Sequence, residues 1–275
     1  MSKSKRILSL YKSFSRAGMQ NMFAYRANFF CFLIGEIMSA FILYFVWKAV
    51  FISSGGETFN GFSMNDMVVY IFVSFLASYM TYSDGAYVLG EEIISGDVTM
   101  RMIKPVSFDM CFLFQELGNQ IVKLLFIFVP ILLGVEMYRF VVNGFIMFNV
   151  VNFLIFFVSL FFAYLISFYF NVCYGYLAFY LQNLWGTSIV KETLVSFLSG
   201  GIIPLAFLPS TLSSILNLLP FASLSYTPVM IYMGKYSLSQ IIFSILLQIF
   251  WLLFFYVLSK IIWKSAVRRL CANGG

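Results

Sequence analysis

The chain has 275 residues, 61% of them hydrophobic and only 10% charged, with a net charge of +6 and a positive mean hydropathy. Soluble domains carry about 25% charged residues, so this is the composition of an integral membrane protein. The lack of any histidine excludes a Ser-His-Asp triad, a His-ligated zinc site and a His-ligated haem.

Several apolar stretches reach the ~20 residues that cross a bilayer as a helix, and the ten-residue alternation of a transmembrane β-barrel is absent. The four cysteines (Cys31, Cys111, Cys173, Cys271) are scattered, form no CxxC pair and read as small buried hydrophobes. No GxxxxGK[ST] loop occurs; Gly234-Lys235 is followed by Tyr236. Any nucleotide energy therefore has to come from another chain. The start, MSKSKRILSLYKSF, has neither a compact apolar core nor a small-residue cleavage site, and is not read as a cleaved signal peptide.

Residues 1–26 open the chain with Lys3, Lys5, Arg6, Lys12 and Arg16 beside an apolar stripe at 7, 10/11, 14 and 18/19. That spacing predicts an amphipathic helix lying in the headgroup plane and attracted by anionic lipids, not a nucleic-acid-binding arm. A first span is predicted over 27–50, followed by a Gly/Ser-rich polar loop and a second span over 66–87. Residues 88–109, VLGEEIISGDVTMRMIKPVSFD, carry too many charges for hydrocarbon. Gly96 breaks this segment and Lys104-Pro105 ends it. The result is a short elbow with apolar knobs (Ile94, Val98, Met102) among charges: a docking surface for a soluble partner or an ordinary polar loop.

A third span is predicted over 114–135, holding Glu116 and Lys123, and a long fourth over 145–180. Lys191 and Glu192 lead into a fifth over 190–208. These two charged sets read as interfacial anchors. In 209–237, Pro209, Pro220 and Pro228 cut the chain into pieces too short to cross, which predicts re-entrant or surface-lying helices. A sixth span, 239–262, ends in a basic run. With the amino terminus inside, fourteen of the seventeen Lys and Arg lie on the inner face. The positive-inside rule therefore puts both termini and the elbow in the cytosol.

Two further candidates lie within the spans. Glu36 sits about seven residues into the first span, where a carboxylate costs ~2.5 kcal/mol or more if central. It either faces a polar path or is neutralised near the inner interface. Gly200-Gly201 and Pro204 weaken the fifth helix, as a gate or for close packing; Pro209 ends the segment.

Taken in order, AYRANFF (24–30), EEIISGDVTMRMIKPVS (91–107), FLSGGIIPLAFLP (197–209), LPFASLSYTP (219–228) and the terminal RRLCANGG resemble an ABC transporter permease of the exporter-type class, the ABC type 2 family. Within it they are similar to a group of paired permeases with a separate ATPase, and the likeness spans nearly the whole chain. It implies an all-α integral membrane fold in a single permease domain. This fold has six transmembrane helices, an amino-terminal interfacial connecting helix, a cytosolic coupling helix between spans two and three, and short extracellular re-entrant helices before span six.

Residue by residue, the resemblance gives ATPase coupling to Glu91, Glu92, Ile94, Gly96, Asp97, Met102, Lys104 and Pro105. A gate or path falls to Glu36, Gly200, Gly201, Pro204 and Pro209. The implied partners are ABC ATPase subunits that carry ATP and Mg, a second permease (identical or paralogous) and membrane lipids. The chain itself is implied to bind no cofactor and to catalyse nothing. The implied location is the cytoplasmic (inner) membrane of the cell, multi-pass. An ion- or proton-coupled secondary transporter is the alternative, and a membrane-embedded enzyme a third reading without paired carboxylates or metal ligands to support it.

Overall fold

The computed structural model describes residues 3–55, 58–99, 108–145, 148–181 and 183–273, and the chain is 83% helical. Among the described residues, five helical segments are long and apolar enough to cross a membrane: Leu33–Ser54, Met64–Ser95, Asp109–Asn143, Val150–Phe179 and Leu238–Ala266.

The first helix, α1 (Lys3–Ala24), does not rest its stripe on open solvent or lipid. It packs along α5 (Phe108–Lys123). Tyr11 stacks on Phe114 at 4.7 Å between ring centroids, and the Ser15 hydroxyl donates to the Phe114 carbonyl at 2.7 Å. Glycine permits the approach. A Cβ added to Gly18 would lie 2.1 Å from the Gln115 carbonyl oxygen, and one added to Gly118 2.0 Å from that of Ser15. Lys12 and Arg16 stay exposed on the other face; the side chains of Lys3, Lys5 and Arg6 lie outside the described residues.

Helix α2 (Arg26–Ser54) follows after one residue and ends at Gly55 in the left-handed conformation. The polar loop that follows contains an antiparallel hairpin, β1 (Thr58–Phe59) with β2 (Phe62–Ser63). Asn60-Gly61 forms its turn, both with positive φ (47° and 78°), the pair that such two-residue turns favour. Ser63 then caps α3 (Met64–Thr81): its hydroxyl accepts from the Asp66 amide and the Asp66 carboxylate accepts from its own amide, both at 3.1 Å.

The span expected to reach residue 87 stops at Thr81, because Tyr82 is extended (φ −63°, ψ 129°). The chain restarts as α4 (Gly85–Ser95), which turns its Gly85, Ala86, Leu89, Gly90 and Ile93 face to the bundle. Its docking surface is α7 (Val150–Gly175) and the 3-10 turn Tyr176–Phe179. A Cβ on Gly175 would already be 3.0 Å from the Ala86 carbonyl.

Helix α5 passes through a π-helical turn, Leu124–Phe128, into α6 (Val129–Asn143), so the expected third span 114–135 is longer at both ends. Asn149 caps α7, accepting from the amides of Val151 and Asn152 at 2.9 and 3.2 Å, which sets its start at 150 and not 145. Helix α8 (Trp185–Leu198) has 14 residues and extends ~21 Å, short of a bilayer core. The fifth span expected over 190–208 is thus this helix plus a turn.

Two short helices, α9 (Ser210–Leu218) and α10 (Tyr226–Tyr232), occupy the proline-rich stretch; every residue of α10 is buried. The last helix, α11 (Leu238–Asn273), is 36 residues long, ~54 Å, and extends past the expected end at 262. Lys260 on α11 pairs with Asp109 at the start of α5, 2.7 Å apart, fixing the basal end of the bundle where α1 and α4 lie. At the far end Lys235 pairs with Asp66, 3.1 Å apart, and donates to the Gly61 carbonyl at 2.9 Å. The chain therefore changes ends between Phe179 and Lys235.

Candidate functional site

A bundle this apolar should close on itself, yet a cavity of about 580 Å³ opens inside it, its wall studded with charged, amide and hydroxyl groups among apolar ones. Six helices and the turns after α3 and α8 contribute. From the basal end, α1 brings Asn21 and Met22, α2 brings Glu36, and the break after α3 brings Tyr82, Ser83 and Asp84. Farther in, α5 supplies Asn119 and Lys123, α7 supplies Ser167, Phe170 and Asn171, and α8 supplies Lys191, Glu192 and Ser196. Ser78, Ser199 and Ser225 close it beneath α10, with Ser78 donating to Ser225 at 3.4 Å.

The polar groups are held by defined contacts. Lys191 donates to the Asn171 side-chain oxygen at 2.5 Å, lies 4.8 Å from the centre of the Tyr174 ring, and is 3.9 Å from Glu192. Asn171 in turn donates to the Ser167 carbonyl one turn back, at 2.9 Å. Lys123, 9% exposed, has its ammonium over the rings of Tyr79 and Tyr82, 5.0 and 5.5 Å from their centres. Glu116 accepts from the hydroxyls of Ser83 at 2.9 Å and Tyr164 at 3.4 Å, tying the α3–α4 break to α5 and α7. Lys123 and Lys191 belong to the cavity wall. Seven-residue spacing indicated that Glu116 and Lys123 share a face of α5; the cavity itself, assembled from segments 200 residues apart, left no local pattern.

Of the residues singled out for a gate or path, Glu36 lies on this cavity. Gly200, Gly201, Pro204 and Pro209 form the turn beyond α8. Gly200 has φ +79°, its carbonyl accepts from the Tyr70 hydroxyl at 2.6 Å, and a Cβ there would meet Tyr226 and Tyr70 at 3.1 Å. The Tyr226 amide donates to the Ser199 carbonyl at 3.0 Å. This turn is tightly packed.

Of the residues assigned to coupling, Glu91 and Ile94 are exposed on the outer face of α4, with Ile94 49% accessible. Glu92 is partly buried. Gly96 ends the helix at φ 83°, and Asp97 accepts from the Ser95 hydroxyl at 2.9 Å. Val98, expected as a knob, is fully buried against the bundle and unavailable for docking. Met102, Lys104 and Pro105 lie outside the described residues.

A second, apolar cavity of about 330 Å³ lies between α2, α3 and α6, lined by Ile37, Val68, Phe72, Ile131 and Tyr138. It carries no charged group.

No curated protein matches the chain. A family model described as ABC-2 family transporter protein matches residues 37–274, leaving only the amino-terminal helix and the start of α2 outside. Such membrane subunits pair with an ATP-binding subunit. With its five long apolar helices and its internal polar cavity, this multi-pass membrane protein belongs to the ABC-2 family of transporter proteins.

Proposed function

We propose that the chain is the transmembrane subunit of an ATP-driven exporter, and that the polar cavity is its translocation path. The observation that carries this reading is the cavity itself: charged and amide groups from five helices and the α3–α4 break converge where a purely structural bundle would be dry. In this reading α8 and the turn after it complete a sixth crossing, which agrees with the change of ends between Phe179 and Lys235. Both termini and α4 face the cytosol, as the basic residues there favour.

The exposed face of α4, with Glu91 and Ile94, docks on a separate ATPase that carries ATP and Mg. Closure of two ATPases pushes α4 against α7, whose basal half lines the cavity. A second permease, identical or paralogous, faces this one. Helix α8 suits that contact, since its only buried residue is Ser188 and it exposes Ile189, Leu194 and Phe197. Interfaces of this kind combine an apolar core with a polar rim.

The decisive experiment is purification of the complex with its nucleotide-binding partner from Ile94→Asp cells. Water faces this side chain in the free subunit, so insertion and folding should change by less than about 0.5 kcal/mol. In the docked complex it would bury an unpaired carboxylate, costing ~3 kcal/mol or more. Co-purifying ATPase and ATP-dependent export should both be lost, while Ile94→Ala retains most of each. A wild-type chain that brings down no nucleotide-binding partner would overturn the exporter reading and favour an ion-coupled carrier.

Orientation has its own test. In a cysteine-free background, Ser237→Cys should react with an impermeant maleimide in intact cells, and Ser95→Cys only after the membrane is opened. Labelling of position 95 from outside would reverse the assignment.

A further inference from the structure

Among the described residues, Lys123 differs from the other cations that are not exposed. Arg139 reaches Glu136 at 2.9 Å, Lys235 reaches Asp66 at 3.1 Å, Lys260 reaches Asp109 at 2.7 Å, and Lys191 is held by Asn171 at 2.5 Å. Among the described residues Lys123 makes neither an ion pair nor a hydrogen bond, although it is only 9% exposed; the rings of Tyr79 and Tyr82 are its company. Ring faces attract a cation but cannot accept its three N–H bonds as an anion can. One turn earlier on the same face of α5 lies Asn119, also on the cavity, with its side-chain oxygen buried and without a partner. An ammonium that lacks an acceptor and an amide oxygen that lacks a donor thus stand on the same wall of a cavity in a membrane protein, where such groups carry a high cost.

We propose that the cavity takes its cargo by a single anionic group, with Lys123 as the anion anchor, and that the cargo is an amphiphile. The proposal rests on the reading of this cavity as the translocation path. An oxygen-rich anion such as a phosphate monoester, phosphodiester or carboxylate supplies acceptors for the ammonium. Phe75, Phe170 and Leu224 on the same wall offer apolar surface to a hydrocarbon portion. One unpaired cation matches one anionic group. A polyanion such as a nucleotide would turn its remaining charges toward Glu36, Asp84 and Glu192, which line the same cavity.

Binding to the purified full-length chain in a neutral detergent, followed by native mass spectrometry, tests this. The probes share a fourteen-carbon tail: lysophosphatidylglycerol, myristate, monomyristin (neutral) and tetradecyltrimethylammonium (cationic); ATP is the polyanion. At least one anionic amphiphile should bind tenfold or more tightly than the neutral and cationic ones, and ATP should not compete. Lys123→Met should abolish that preference and Lys123→Arg keep it. Asn119→Asp, which leaves the lysine in place and gives it a carboxylate one turn away, should abolish it too. Preference for the lysolipid alone identifies a phospholipid headgroup; equal binding of myristate identifies any anionic amphiphile. Equal binding of neutral and anionic probes by the wild type overturns the proposal, as does a preference that survives in both Lys123→Met and Asn119→Asp. No step needs a nucleotide-binding partner, so this result and the co-purification result can fail independently.

Discussion

Gly118→Ala is expected to detach α1 from the bundle, although in an ordinary helix the same change would help. Replacing glycine by alanine inside a helix normally stabilises by about 0.8–1 kcal/mol, since alanine leaves less backbone entropy to lose. Here the added methyl would sit 2.0 Å from the Ser15 carbonyl oxygen and 2.8 Å from its carbonyl carbon. Those atoms belong to a helical backbone and cannot swing aside, so the two helices have to part. Parting them breaks the 2.7 Å bond from Ser15 to the Phe114 carbonyl and the stack of Tyr11 on Phe114. The expected loss is at the upper end of the about 1–3 kcal/mol typical of overpacking. It should appear as faster amide exchange across residues 11–22 and as early proteolysis of α1. Gly134→Ala is the control: nothing lies within 4 Å of a Cβ there, so it should be neutral or stabilising. If both variants behave alike, the tight crossing of α1 on α5 is wrong.

The second large effect is expected at Gly200→Val. At φ +79° a left-handed backbone costs any L-residue roughly 1–2 kcal/mol, and a β-branched one more. The new Cβ also crowds Tyr226, the Tyr70 hydroxyl and Leu205 at 3.1, 3.1 and 3.3 Å. Any retreat of the turn lengthens the 2.6 Å bond from Tyr70 to the Gly200 carbonyl, and a buried carbonyl without a partner costs about 1–3 kcal/mol. The sum should lower the thermal midpoint of the purified subunit measurably. Gly200→Asn should recover part of it, because asparagine tolerates the left-handed region but still carries a Cβ. Equal stability of the valine and glycine forms would mean that the turn is loose, as a flexible gate requires.

Much of the architecture could be read from local chemistry. Charge density marked the segment after the second span, and Gly96 stood out as its breaker. Three prolines announced helices too short to cross in 209–237, and α9 and α10 are such helices. Signals that were present but outweighed account for the misplaced boundaries. Ser83-Asp84-Gly85 is a turn sequence inside a stretch whose hydropathy reads as one helix, so the break after Thr81 was hidden by its neighbours. Asn60-Gly61 between phenylalanines is a hairpin signal within what reads as a glycine-rich loop. The apolar stripe of α1 reads equally well as a face for lipid or for another helix; the glycines at 18 and 118 decide between them, and they act only as a pair. The cavity lies beyond such reading. Lys123 is one cation among seventeen until α3 brings Tyr79 and the break after it brings Tyr82 to its ammonium, with no carboxylate within ion-pair distance.

The π-helical turn has a consequence for how the third long segment is aimed. The Val129 amide reaches back five residues to the Leu124 carbonyl, accommodating Pro130, which has no N–H to give and whose ring would strike a carbonyl in regular α-geometry. A turn that holds one additional residue shifts everything after it by about 100° around the axis. The two halves of one span therefore have independent angular phase: Asn119 and Lys123 are set toward the cavity, while Leu132 and Val135 are set toward the core. A regular α-helix made of the same residues would drive the Pro130 ring against a carbonyl and rotate the second half of the span by about 100°. It would also carry Leu132 and Val135 off the core and turn Ile131 and Gly134 toward it, so a change in winding too small to alter the crossing would misdirect half of it.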